Sequence, residues 1–271
     1  MTATGHSFVR GGAALHVDDA GGTGFPVMFQ HGLCGDAQQT AEVFPDDRRF
    51  RRITLECPGH GGSEAGDTTA FSIARFADDV AALIDAERLA PLVIGGISMG
   101  AAIALRLAAR RKDVVRGLIL ARPAWGTEAA PGNMAPAAEA GRLIATLPVQ
   151  AAREKFLASD TARYLAEAAP DNLATLEGFF ARNPLAVTAG LLQAISGDGP
   201  GVSDDEVCAI RVPTMIVAHG RDVLHPLALA ESLASLIPNS RLVTITAKAD
   251  DRARYVSDFR DALDTFLTSF L

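Results

Sequence analysis
Apolar residues in the first 122 positions fall into two alternating rhythms, short continuous runs and stretches with three- or four-residue spacing. Val27-Met28-Phe29-Gln30 is a run of the first kind, entered from the Gly21-Gly22-Thr23-Gly24 turn and closed by His31-Gly32. Arg52–Leu55, Pro91–Gly96 and Gly117–Ala121 are similar, and short apolar runs bounded by turn residues predict buried strands. Ser7–Arg10 and Ala14–Val17 predict a hairpin about Gly11-Gly12. Between the strands, Ile73, Phe76, Val80, Leu83 and Ile84 share one helical face, which predicts a helix from an N-cap at Ser72 to Glu87. Met99–Arg111 predicts another. The rhythm resumes with a strand at Thr214–Ala218, a helix at Pro226–Ile237, a strand at Leu242–Thr246 and an amphipathic helix at Val256–Leu271. Strands alternating with helices predict an α/β fold, a mostly parallel sheet with helices on both faces.

Residues 124–211 break the alternation. They are Ala-rich and helical in pattern, interrupted at Pro131, Pro148, Pro170, Pro184 and Gly197–Gly201, with no strand signal and no repeat. The reading is a core of 1–123 and 212–271 with a helical insertion at 124–211 lying over the strand ends.

Composition narrows the function. With 48% hydrophobic and 21% charged residues the chain can bury a core, which excludes a disordered protein. A net charge of −7 argues against a nucleic-acid partner. Cys34, Cys57 and Cys208 are odd in number and widely spaced, fitting neither a disulfide framework nor a metal site, and point to a reducing compartment. No apolar stretch approaches the ~20 residues of a membrane span, and no signal peptide is visible. The expectation is a soluble cytoplasmic protein, monomer or homo-oligomer, acting on a small molecule without membrane or nucleic acid. No G-x-G-x-x-G, phosphate-binding loop or metal-ligand spacing occurs, so neither cofactor nor metal is implied.

The strongest chemical signal is Gly96-Ile97-Ser98-Met99-Gly100, between a predicted strand and a predicted helix. In that context G-x-S-x-G marks a sharp turn that exposes a nucleophilic serine, the glycines removing side chains that would collide there. With His31-Gly32, Gly59-His60-Gly61-Gly62-Ser63 and Gly220-Arg221-Asp222 in the same order, the chain resembles the α/β-hydrolase superfamily over essentially its whole length. The resemblance implies a helical cap between the sixth and seventh strands. It also implies backbone N–H groups of Leu33 and Met99 as an oxyanion hole, and Asp222 as the acid of a catalytic triad. In the same resemblance His31 shapes the oxyanion loop and His60 fixes a tight turn.

One part of the pattern is missing. The resemblance places a catalytic histidine after the eighth strand, where this chain has Ala247-Lys248-Ala249-Asp250-Asp251-Arg252, and no histidine follows His225. Three arrangements remain open. His225, three residues after Asp222, can serve as base from a different backbone position, since geometry and not chain order defines a triad. Lys248 can serve if burial depresses its pKa by several units. Or Ser98 needs no base, in a silent ligand-binding protein or a non-hydrolytic lyase. Arg122, suited to a substrate carboxylate or a structural ion pair, is a candidate substrate-binding residue with Trp125, a possible cap hinge, and His31. The leading expectation is hydrolysis of a small ester, lactone or related acyl compound.

Overall fold
The computed structural model describes residues 4–271. Its strands are β1 Thr4–Arg10, β2 Ala13–Asp19, β3 Phe25–Gln30, β4 Phe50–Leu55, β5 Leu92–Ile97, β6 Val115–Ala121, β7 Thr214–Ala218 and β8 Ser240–Thr244. They form one sheet in the order β1-β2-β4-β3-β5-β6-β7-β8. Strand β2 is antiparallel to both β1 and β4, and every other pair is parallel.

Alternation along the strands supplies two cores. Met28, Ile53, Ile94, Leu118 and Ile216 enter one layer, and Val27, Phe29, Val93, Ile119 and Met215 enter the other. The first layer is covered by α2 Ile73–Ala86, α3 Met99–Arg110 and α10 Leu227–Leu236, the second by α1 Ala37–Val43 and α11 Arg252–Thr268. Helix α2 starts where the sequence indicates, with Ser72 Oγ accepting from the Arg75 N–H at 3.1 Å.

Between β6 and β7 lie α4 Ala135–Thr146, α5 Val149–Leu157, α6 Asp160–Ala168, α7 Pro170–Gly178, α8 Leu185–Ser196 and α9 Asp204–Cys208. Three of the sequence breaks are helix starts. Pro170 opens α7, and Pro148 and Pro184 immediately precede α5 and α8, positions where a missing N–H costs nothing. Leu143, Phe156, Leu165, Leu176 and Leu191 of this segment share the core of the first sheet face.

Several boundaries differ from the sequence reading, among them the starts of β8 and α11. Strand β8 begins two residues before Leu242, because as an edge strand it is defined by its ladder to β7, from Thr214↔Ser240 to Ala218↔Thr244. Helix α11 begins at Arg252, ahead of Val256, because Asp251 caps it by accepting from the Arg254 N–H at 2.9 Å. No described helix is long and apolar enough to cross a membrane.

Candidate functional site
Ser98 stands between the end of β5 and the start of α3 with φ 57° and ψ −111°, a left-handed conformation that is costly for a residue with a Cβ. Packing holds it there. The Ser98 N–H donates to Ala121 O at 2.9 Å, and the glycines on either side let β3, β5 and α3 close up. A Cβ on Gly100 would lie 2.3 Å from Gln30 O, and one on Gly96 would lie 2.6 Å from the Gly100 carbonyl carbon. The His31–Leu33 loop passes beside the serine, so that a Cβ on Gly32 would meet Ser98 Cβ at 3.4 Å. The N–H groups of Leu33 and Met99 have no acceptor among the described residues, as the first N–H of a helix has none within the helix.

His225 Nε2 lies 2.9 Å from Ser98 Oγ. On the other side of the ring, Nδ1 is 2.8 Å from Asp222 Oδ1, which also accepts from the His225 backbone N–H at 3.1 Å. An ionised carboxylate only accepts, so Nδ1 carries the hydrogen and Nε2 is free to accept from the serine hydroxyl. Burial opposes ionisation of Asp222, yet His225 and Arg122 beside it hold its carboxyl far below the usual carboxylate range.

Arg122 follows β6 at φ 45°; its Nε donates to Asp222 Oδ2 at 2.7 Å, and its Nη2 forms an ion pair with the same oxygen at 2.6 Å. Its Nη1 is 3.4 Å from Tyr255 Oη, and Nη2 is 3.6 Å from Asp171 Oδ2. Nη2 also approaches His225 Nδ1 at 3.3 Å; two donors face each other there, so the contact is electrostatic crowding and not a hydrogen bond. His219 is buried under the same carboxylate, its Nε2 3.5 Å from Asp222 Oδ2. Burial and the Arg122 charge push its pKa down to about 4, so it is neutral near pH 7.

A cavity of about 80 Å³ opens on Ser98 and His225 and is walled by Leu33, Arg122, Asn172 and Lys248, among others. The three candidate substrate contacts stand in different surroundings. Arg122 reaches the wall, but its guanidinium is already committed to Asp222, because a buried charge this close to a carboxylate pairs with it. Trp125 is not part of the wall; it is buried with Nε1 donating to Asp198 O at 3.0 Å. His31 is also outside the wall. Its Nδ1 donates to Gly32 O at 2.8 Å and its Nε2 accepts from the Cys57 N–H at 3.0 Å, so both nitrogens brace loops. Burial pushes its pKa down, which suits the neutral ring those two bonds require.

Sequence reasoning missed the residues that hold the His225 loop. Asn172, the third residue of α7, accepts from the Val223 and Leu224 N–H groups at 2.8 and 3.0 Å. Asn133 donates to Ala124 O at 2.9 Å and to Leu224 O at 2.7 Å. For Asn172 a signal existed: it shares the 3–4 spacing of the buried residues Ala169, Leu176 and Phe179, and a polar residue on an apolar face needs a partner.

Comparison with known proteins agrees with this architecture. Residues 26–248 match the family described as the alpha/beta hydrolase fold. A pimeloyl-[acyl-carrier protein] methyl ester esterase of Neisseria meningitidis serogroup B is 32% identical over 209 residues, 72% of this chain and 73% of the relative. A 2-hydroxymuconate semialdehyde hydrolase of Pseudomonas putida is 28% identical over 250 residues, 88% and 84% of the two chains. In fold, the chain is similar to the enol-lactonase from Burkholderia xenovorans LB400, with a TM-score of 0.72, 24% identity, and 97% and 100% of the two chains covered.

Proposed function
The chain belongs to the α/β-hydrolase fold family, and from that premise we propose that it hydrolyses a small ester, lactone or related acyl compound, with Ser98 as nucleophile. The observation that carries the reading is one histidine bridging serine and carboxylate, with Nε2 2.9 Å from Ser98 Oγ and Nδ1 2.8 Å from Asp222 Oδ1. A serine hydroxyl is a poor nucleophile near neutral pH unless a base removes its proton as the new bond forms. His225 has that reach, and Asp222 fixes the required tautomer.

The chemistry follows from these positions. Ser98 Oγ attacks the carbonyl carbon while its proton passes to His225 Nε2, and the carbonyl π pair moves onto oxygen. The resulting oxyanion is received by the Leu33 and Met99 N–H groups, donors of a kind worth about 3 kcal/mol each to such a transition state. Collapse expels the alkoxide, which takes the proton from His225 and leaves an acyl-serine. Water attacks that ester by the same route, and Ser98 recovers its hydrogen. Asp222 remains ionised throughout, held so by Arg122.

The helices of 124–211 act as a cap in this reading. Their α7 supplies wall residues, and the small cavity favours a short acyl group. The test uses 4-nitrophenyl acetate in excess over enzyme, followed before the steady state. A burst of 4-nitrophenol equal to the enzyme concentration, absent in Ser98→Ala, is expected; equal rates in both proteins would remove Ser98 from the chemistry.

A further inference from the structure
The cavity beside Ser98 contains polar groups that the proposed hydrolysis does not use. Lys248 lines it from the loop after β8, is only partly exposed, and makes no ion pair or hydrogen bond among the described residues. Asn172 and Gln39 line the same cavity with their amide oxygens already committed. Asn172 Oδ1 accepts from Val223 and Leu224, and Gln39 Oε1 accepts from the Gly32 N–H at 2.6 Å. Those bonds determine which end of each amide is nitrogen. Asn172 Nδ2 and Gln39 Nε2 are left without an acceptor among the described residues.

The local carboxylates do not answer these donors, and Glu42, whose charge reaches Lys248, pairs with Arg252. Asp222 is shared between His225 and Arg122. Asp171 turns Oδ2 toward Arg122, and its buried Oδ1 has no hydrogen-bond partner and forms no ion pair with Lys248. Apolar side chains, among them Met134, Leu176, Phe179 and Leu224, make up much of the remaining wall. One cation and two amide donors without acceptors, gathered in one small cavity beside Ser98, complement a small anion.

The geometry points to a substrate whose acyl part ends in a carboxylate, received by Lys248 Nζ together with Asn172 Nδ2 and Gln39 Nε2. The chemical class is the hemiester or lactone of a short dicarboxylic acid. This assignment rests on the reading of Ser98 as nucleophile, because it makes the carboxylate the far end of the acyl group under attack. Lys248 is a point charge with three donors, so it selects for charge, while the two amides add direction. Burial and the nearby Arg122 push the Lys248 pKa down from its ordinary value, and a bound carboxylate acts in the opposite sense. Anion binding and protonation of Lys248 therefore favour each other.

Monomethyl succinate and methyl butyrate form a matched pair, differing by a carboxylate in place of a terminal methyl. The wild type is expected to hydrolyse the succinate with a kcat/KM at least tenfold higher, mainly through KM. Lys248→Met is expected to abolish that preference, and Lys248→Arg to retain more of it than Lys248→Gln. A succinate-to-butyrate ratio that stays within twofold of wild type in Lys248→Met, or a wild-type preference for methyl butyrate, overturns the assignment. Calorimetry on Ser98→Ala separates this from the chemistry of Ser98. Binding of monomethyl succinate that disappears when Lys248→Met is added supports the anion site whether or not Ser98 is the nucleophile. Absence of binding overturns the site even if neutral esters are hydrolysed.

Discussion

A histidine that serves as base must stand close to its serine and have its other nitrogen held, and at His225 both conditions involve one buried carboxylate. Asp222 accepts from Nδ1 and from the backbone N–H of the same residue, and its remaining oxygen accepts from Arg122 Nε and pairs with the same guanidinium at Nη2. Arg122 thus orients the acid and keeps it ionised. It is itself buried, so removing it leaves Asp222 with an imidazole in place of a full counter-charge. Arg122→Met is expected to cost about 3 kcal/mol of stability, as for other broken buried pairs. Urea denaturation measures this, and an unchanged midpoint would remove the ion pair from the account of the site.

At the scale of elements, the proposed base His225 stands on the loop after β7, while Lys248 occupies the loop after β8 where the superfamily resemblance places a histidine. The β7 loop is held by residues from outside the sheet, Asn172 of α7 and Asn133 just before α4. Asn172→Ala leaves two backbone N–H groups unpaired and frees the loop to shift. Labelling of Ser98 by a fluorophosphonate is expected to slow about tenfold, in keeping with the sensitivity of catalysis to small misplacements. A wild-type labelling rate would mean that the loop is rigid without the clamp. The serine turn depends equally on close approach of elements. Gly100→Ala would drive a methyl against Gln30 O, a backbone atom that cannot rotate away, and is expected to cost about 2 kcal/mol in thermal or chemical denaturation. A cost near zero would show that α3 can retreat from β3.

Legibility followed the same divisions. Most strands were visible because β3, β5, β6 and β7 are largely buried and read as near-continuous apolar runs, and α2 was visible from its single apolar stripe. Ser98 could be located because its backbone conformation demands glycine neighbours, which leaves a mark in the sequence. Helix α1 left little trace; it has seven residues, and its N-cap at Asp36 is its clearest feature. For His225 the sequence offered a candidate position but no distance, because contact with Ser98 is made across 127 residues of chain. The commitment of Arg122 to Asp222, and of Trp125 and His31 to loop carbonyls and N–H groups, was invisible for the same reason. These pairings belong to the folded arrangement and carry no local pattern.

For the whole molecule, buried neutral histidines predict a particular response to acid. Burial pushes down the pKa values of His31, His60 and His219, that of His219 to about 4. In the unfolded chain each would titrate near 6.5. Below that pH the unfolded state binds more protons than the folded state, so stability falls as pH falls from about 6.5 toward 4. The depressed carboxyl of Asp222 adds a further loss only below the usual carboxylate value of 3.8. Thermal unfolding is expected to give a midpoint that declines steadily from pH 7 to pH 4.5 and declines less in His219→Phe. A flat profile over that range would contradict neutral burial of these rings.

Proposed hydrolysis by this protein depends on His225 activating Ser98 from the β7 loop. Mass spectrometry after exposure to a fluorophosphonate tests this directly. The expected result is one adduct on Ser98 in the wild type, and labelling at least 10³-fold slower in a folded His225→Ala protein, the scale of losing a positioned base. Labelling of Ser98 that proceeds unchanged in His225→Ala, or no labelling of the folded wild type, would contradict it.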